Sequence, residues 1–395
     1  MKLSKNIFWL LLIAAAVLLG IWGLNFWSGG CASAVQESVA TTTSSSNGTI
    51  TTITLPSYTS EFLYVENGLG ISSYNLDLST GKLTSVESIS DPGGISFICT
   101  DPSSKFLFVG GSFGPKPPAF SGDYEIQSYK IDPSSGVLSS PDAMVVSKQP
   151  ISADFDPAGN FVYIGGGTNL ISIYRLNASS GGITLIESEE PGGSSFLHVA
   201  VEPGGKYAYA CGQNGANGNI WVLNINSLTG DLNYIDNIDT GSLTNPINLI
   251  MNPAGKFMYV LESFLNDILV YQIDETTGKL SLIQTELIGN SIEDIKIDPL
   301  GRFLYVVKST YPDFVIKVFR IAPTTGKIAL SQNINVLVSY AHVSADPSGK
   351  FVCLSQIVPN QISVYRLDPT AGSLTLVDSL GTINSNVRSL IVGIK

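Results

Sequence analysis

The sequence predicts an all-β fold, a propeller of seven four-stranded blades, and three observations carry that prediction. A turn-and-strand unit recurs down the chain, clearest where Asp156-Pro157-Ala158-Gly159 leads into Phe161-Val162-Tyr163-Ile164. The first aromatic residue of each copy stands at 62, 106, 161, 207, 257, 303 and 351, a spacing of 44 to 55 residues. That period belongs to a repeat architecture. A second turn follows in every unit, for example Ser79-Thr80-Gly81, Thr276-Thr277-Gly278 and Thr324-Thr325-Gly326. Between the turns lie short runs of Val, Ile, Tyr, Phe and Leu, and no segment after residue 60 shows a helical period.

The third unit shows the strands in order: Ser152 to Phe155, Phe161 to Gly165, Leu170 to Leu176 and Ile183 to Glu187. In the first turn Asp opens it, Pro presets φ at the second position and Gly closes it. In the second turn Gly supplies the positive φ that a hairpin needs. The first unit lacks a strand ahead of Phe62, while residues 387–392 at the C-terminus form a spare one. The tail is therefore expected to complete the first blade, closing the ring and removing its open edges.

One ring of seven units is a single domain despite the 395 residues. Hydrophobic residues make up 44% and charged residues 13% of the chain, a large core under a surface of Ser, Thr, Asn and Gly that suits an extracytoplasmic protein. The formal charge of −11 argues against nucleic acid or anionic lipid as a partner. Cys31, Cys99, Cys211 and Cys353 show no paired spacing, so neither a disulfide framework nor a zinc site is indicated. No metal and no cofactor is expected.

Residues 1–31 carry Lys2 and Lys5 ahead of an apolar run over 7–27, ending at Ser28-Gly29-Gly30-Cys31. The segment reads as a membrane-targeting leader, with Cys31 as the lipidated residue of a bacterial lipoprotein or, alternatively, with the apolar run kept as an uncleaved anchor. Either places the body outside the cytoplasmic membrane; secretion after cleavage is the alternative. Residues 32–56, rich in Ser and Thr, read as a flexible linker, and 57–395 as the propeller.

In such a ring the first strand of each blade lines the axis, and its mouth is the default site. Four residues back from each Asp-Pro position stand Phe97, Ser152, His198, Asn248, Asp294 and His342, a mostly polar set. His198 and His342, the chain's two histidines, are the first candidates for acid–base work. Ser152, Asn248, Asp294 and Glu66 are expected to contact a ligand. Residues 110–123 and 211–219, the latter containing Asn214, read as long loops forming a lip over the axis.

The repeated Asp-Pro-x-Gly-(Lys/Arg)-Phe-Leu-Tyr-Val pattern resembles the lactonase-like seven-bladed propeller family, related to 6-phosphogluconolactonase and muconate-lactonising propellers. The resemblance covers residues 57–395. It implies an Arg-His pair and Asn-Glu at the axial mouth, holding a lactone carbonyl. Transferred to this chain, the His position falls on His198 and His342, where Leu197 and Ala341 precede them instead of Arg. The Arg position falls best on Arg388, and the Glu position on Glu262 or Glu66. An enzymatic site would use Arg388 for the oxyanion, His198 or His342 as base and Glu262 or Glu66 to orient it. Because no blade carries the full set, the leading expectation is a monomeric propeller that binds a small molecule, glycan or protein partner without chemistry of its own. Lactone hydrolysis is the alternative, and a purely structural envelope protein a third reading.

Overall fold

Local hydrogen bonding explains why each repeat starts where it does. In the computed structural model the carboxylate of Asp156 accepts the N–H of Asn160 at 2.7 Å and of Phe161 at 2.6 Å, so the turn hands directly into the strand. Asp101, Asn252, Asp298 and Asp346 cap Phe106, Phe257, Phe303 and Phe351 in the same way at 2.7 to 2.8 Å. Described are residues 39–395 apart from 46–47, 55, 69, 91–92, 114–122, 168–169, 193–194, 290, 311–312, 337–338, 359 and 383–387. The leader, with Cys31, lies outside them.

Seven four-stranded antiparallel sheets result, each strand paired with its neighbour in sequence. The first blade is the exception, as expected from its missing strand: Ser389–Ile394 pairs with Ser60–Glu66 and shuts the ring. Second strands such as Phe257–Glu262 are buried throughout, whereas fourth strands such as Leu374–Gly381 alternate with solvent and form the rim.

The core is divided into seven apolar clusters, one in each seam between adjacent blades. The second-turn glycines serve these seams as well as the hairpins. Each has φ between 67° and 89°, and a Cβ on Gly136, Gly181, Gly230, Gly278, Gly326, Gly372 or Gly81 would overlap the first aromatic ring of the preceding blade. The Tyr64, Tyr163, Tyr209 and Tyr259 hydroxyls donate to the carbonyls of four of these glycines at 2.9 to 3.0 Å. One residue type thus satisfies the turn, the stacking and a buried phenol.

Two expectations change. The Ser/Thr-rich stretch expected as a flexible linker carries a two-stranded antiparallel sheet, Val39–Ser45 with Gly48–Thr54, in line with its many β-branched threonines. The loop expected over 211–219 is a hairpin: Tyr207–Asn214 and Asn217–Ile225 stay paired to Asn214 and Asn217, leaving Gly215 at φ 67° in the turn. Cys99, Cys211 and Cys353 are buried, and none of them is in a disulfide among the described residues. No helix among the described residues is long and apolar enough to cross a membrane.

Candidate active site

Strand register builds one ring of seven equivalent positions at the start of the innermost strands. Phe97, Ser152, His198, Asn248, Asp294 and His342 pair with Gly110, Gly165, Cys211, Leu261, Val307 and Ser355. In the first blade the Glu66 N–H donates to the Arg388 carbonyl at 2.9 Å, extending the Val65–Ser389 pairing by one residue. Arg388 therefore completes the ring, a relation hidden in the sequence because the first blade has no Asp-Pro turn from which to count.

Four of the ring residues do not line an open mouth as expected, while His342 stays partly exposed. Ser152 and His198 are fully buried, and Asn248 and Asp294 nearly so. In blades 2 to 6 the register shifts immediately before the ring residue, and such a bulge re-aims the side chain that follows it. Two of the ring residues turn into the seam toward the next blade: Ser152 Oγ accepts the Val199 N–H at 3.0 Å, and Asp294 Oδ2 accepts the Val343 N–H at 3.1 Å. The bulge residues Ser96, Ile151, Ile247 and Glu293 are left partly exposed instead. Glu293 is thus a polar mouth residue that the four-back count passes over by one position.

Four predicted residues meet where blades 6, 7 and 1 adjoin. His342 Nδ1 lies 3.3 Å from Asp294 Oδ2, with the imidazole side chain 19% exposed. Arg388 Nη1 lies 3.2 Å from Glu66 Oε2, and the same nitrogen donates to the Ile95 carbonyl. Burial pushes the Glu66 carboxyl up, while the Arg388 guanidinium and the nearby His342 pull it back. Burial also works to raise Asp294, but the charges of Lys296 and His342 and the Val343 N–H outweigh it and hold that carboxyl below its ordinary value. The group combines an oriented imidazole, a fixed guanidinium and a carboxylate behind each.

His198 and Glu262 do not join this group. They lie in the seam between blades 4 and 5, where Glu262 is close enough to raise the buried Cys211 thiol, whose residue pairs with His198. Glu262 accepts the Asn245 N–H at 2.6 Å and the Thr240 hydroxyl at 3.0 Å. Burial lifts its carboxyl to about 7, and those two neutral donors only partly offset the rise. Asn248 has neither amide atom hydrogen-bonded, and Asn214 is exposed at the tip of its hairpin. Among the described residues no group of three or more His, Cys, Asp or Glu is placed to hold a metal ion.

Three serines that the sequence reading passed over also stand here. Ser355 Oγ lies 3.4 Å from the His342 carbonyl and 3.2 Å from Ser389 Oγ, its single proton shared between them, and Ser344 Oγ lies 3.2 Å from Ser389 Oγ. Their signal in the sequence is weak, since Ser is common throughout and only register shows that these three share one seam.

Comparison with known proteins addresses the activity. The model of a family described as "Lactonase, 7-bladed beta-propeller" matches residues 52–178, 152–339 and 289–390. A 6-phosphogluconolactonase of Enterobacter sp. is 29% identical over 248 residues, 58% of this chain and 68% of that one. A 6-phosphogluconolactonase of Formosa agariphila is 30% identical over 104 residues, 26% of this chain, and the match spans only 29% of that relative. Among solved structures, the periplasmic gluconolactonase PpgL of Pseudomonas aeruginosa superposes with TM-score 0.72 at 18% identity, covering 85% of this chain and all of that one. A Bacteroides uniformis propeller superposes with TM-score 0.74 at 17% identity over 84% and 99% of the two chains. At such identities the structures establish the fold alone. The family and the two sequence relatives overturn the expectation of a propeller without chemistry of its own. Scattering of the Arg, His and Glu positions among blades was no argument against an enzyme, because closure of the ring brings blades 1, 6 and 7 together.

Proposed function

Because the chain belongs to the lactonase family of seven-bladed β-propellers, we propose that it hydrolyses a sugar-acid lactone where blades 6, 7 and 1 meet. The observation that carries this reading is the Asp294–His342 pair lying near enough to the Arg388–Glu66 pair for the His342 charge to act on the Glu66 carboxyl. Asp294, held ionised, accepts the Nδ1 proton of His342 and leaves Nε2 as the basic nitrogen. Nε2 takes a proton from water as the water oxygen attacks the lactone carbonyl carbon. Negative charge moves to the carbonyl oxygen, which the Arg388 guanidinium stabilises. The ring C–O bond then breaks, its oxygen takes the proton from Nε2, and a hydroxy acid is released. Glu66 keeps Arg388 in place, and Glu293 at the mouth is suited to accept hydrogen bonds from substrate hydroxyls.

The ligand is then a small molecule rather than a glycan or protein, and the enzyme acts as a monomer without cofactor. We place it outside the cytoplasmic membrane, tethered through a lipidated Cys31 or its apolar leader; support comes from the leader sequence and from the periplasmic neighbour of the same fold. The test is hydrolysis of gluconolactone, 6-phosphogluconolactone and aliphatic lactones by the full-length protein, with spontaneous opening subtracted. Turnover that vanishes in folded His342→Ala is expected. No turnover of any lactone above background sinks the reading.

A further inference from the structure

We propose that the buried hydroxyl chain Ser355–Ser389–Ser344 sets the spacing between His342 and Arg388 and so acts as a positioning device for catalysis. The inference rests on the lactonase reading and adds to it. All three serines are nearly or fully buried, at 0%, 9% and 3% exposure. Ser355 is the strand partner of His342, and Ser389 directly follows Arg388. The Ser355 hydroxyl shares its proton between the His342 carbonyl and Ser389, and Ser344, two residues beyond His342, bonds Ser389 from the other side. The two functional side chains come from opposite ends of the sequence, and these hydroxyls couple their two strands across the closing seam.

Packing alone does not require hydroxyls here. Between blades 5 and 6 the three equivalent positions are Leu261, Ile250 and Ile295, and between blades 4 and 5 they are Cys211, Ala200 and Leu249, all buried. Apolar side chains seal those seams well. Buried hydroxyls cost free energy unless satisfied, but when satisfied they define one geometry, whereas apolar contacts tolerate small slides. An enzyme whose base and oxyanion cation sit on different blades needs that definition, since small displacements of a catalytic group lower the rate steeply.

The experiment compares Ser355→Ala, Ser389→Ala, Ser344→Ala and the double Ser355→Ala/Ser389→Ala in the full-length protein. Ser172→Ala serves as control, since its hydroxyl pairs with Ser188 at 3.2 Å in blade 3. For Ser355→Ala and Ser389→Ala kcat is expected to fall about tenfold with KM nearly unchanged, and the double variant to lose about as much as either single one. Ser344→Ala should lose less, and the control nothing. The chain has only two histidines, so ring-nitrogen NMR shifts of His342 can be followed without an activity assay; they should move in Ser355→Ala and stay fixed in the control. If Ser355→Ala fails to fold, Ser389→Ala decides by the same readouts. Unmoved shifts with wild-type kcat in both seam variants, or an equal loss in the control, overturn the positioning role. A wild-type protein inactive on every lactone would sink the functional reading instead, while the shifts would still report whether the serines position His342.

Discussion

The two histidines occupy equivalent ring positions three blades apart, and they live in different chemistry. His342 meets the Asp294 carboxylate at 3.3 Å and keeps 19% of its side chain exposed; His198 is fully buried beside Cys211. Each has a buried glutamate nearby. Glu66 is answered by the Arg388 guanidinium, whereas Glu262 receives only a backbone N–H and a hydroxyl. A ring position is therefore a location and not a role. What a ring residue does is decided by the facing side chains of the neighbouring blade.

The sharpest way to break this contrast is to remove each histidine. His342→Ala and Arg388→Ala are expected to lose about 10²- to 10⁴-fold in kcat on whichever lactone is turned over. His198→Ala should keep most of its kcat and instead melt at lower temperature, because it opens a cavity in a fully buried part of the seam. Equal loss in both histidine variants would erase the distinction between the two sides of the ring.

Arg388→Met tests the ion pair apart from catalysis. It strands the Glu66 carboxylate in the interior and should cost about 3–5 kcal/mol in urea unfolding, as breaking one partner of a buried pair does. Adding Glu66→Gln to that variant should recover much of the loss. No recovery would mean that Arg388 stabilises through packing and not through its charge.

On the other side, Glu262 predicts a pH dependence. Its folded carboxyl titrates at about 7 against an ordinary 4.5, so the folded state binds the proton more tightly than the unfolded one. Its contribution is undiminished below pH 4.5 and is lost as pH rises toward 7. Glu262→Gln should abolish that decline and by pH 8 exceed the wild type by about 3 kcal/mol, while below pH 4 the two should agree. A wild-type stability flat across this range would show that the seam admits water to Glu262.

The smallest effect concerns a seam residue in neither group. Asp154 Oδ2 accepts the Val201 N–H of the next blade at 2.7 Å. Asp154→Ala should destabilise by about 1–3 kcal/mol and leave kcat unchanged, which thermal melts beside the lactone assay would check.

How much of this was legible beforehand varies by residue. Asp156, Gly159 and Phe161 announce a turn and a strand because their interactions are made within five residues, and repetition of that local signal yields the blade number. Closure by the C-terminal strand followed from counting strands. Arg388, Glu66, His342 and Asp294 could each be nominated from register or resemblance, but nothing local distinguished His342 from His198 or Glu66 from Glu262. Glu293 and the three serines escaped because a bulge shifts the count by one and because a buried serine looks like an exposed one in sequence.

By itself the sequence determined the repeat, its four strands and the ring that seven of them make, since turns and alternating strands are short-range devices whose hydrogen bonds lie close along the chain. Only the tertiary structure decided which candidates share a site. Arg388 reaches Glu66 across 322 residues of chain, and that contact exists because the closing strand pairs the end of the chain with its beginning. Burial in each seam then sets what every charge is worth: it pushes both carboxyls up, and the guanidinium beside Glu66 pulls against that rise, whereas Glu262 has only a backbone N–H and a hydroxyl to do so.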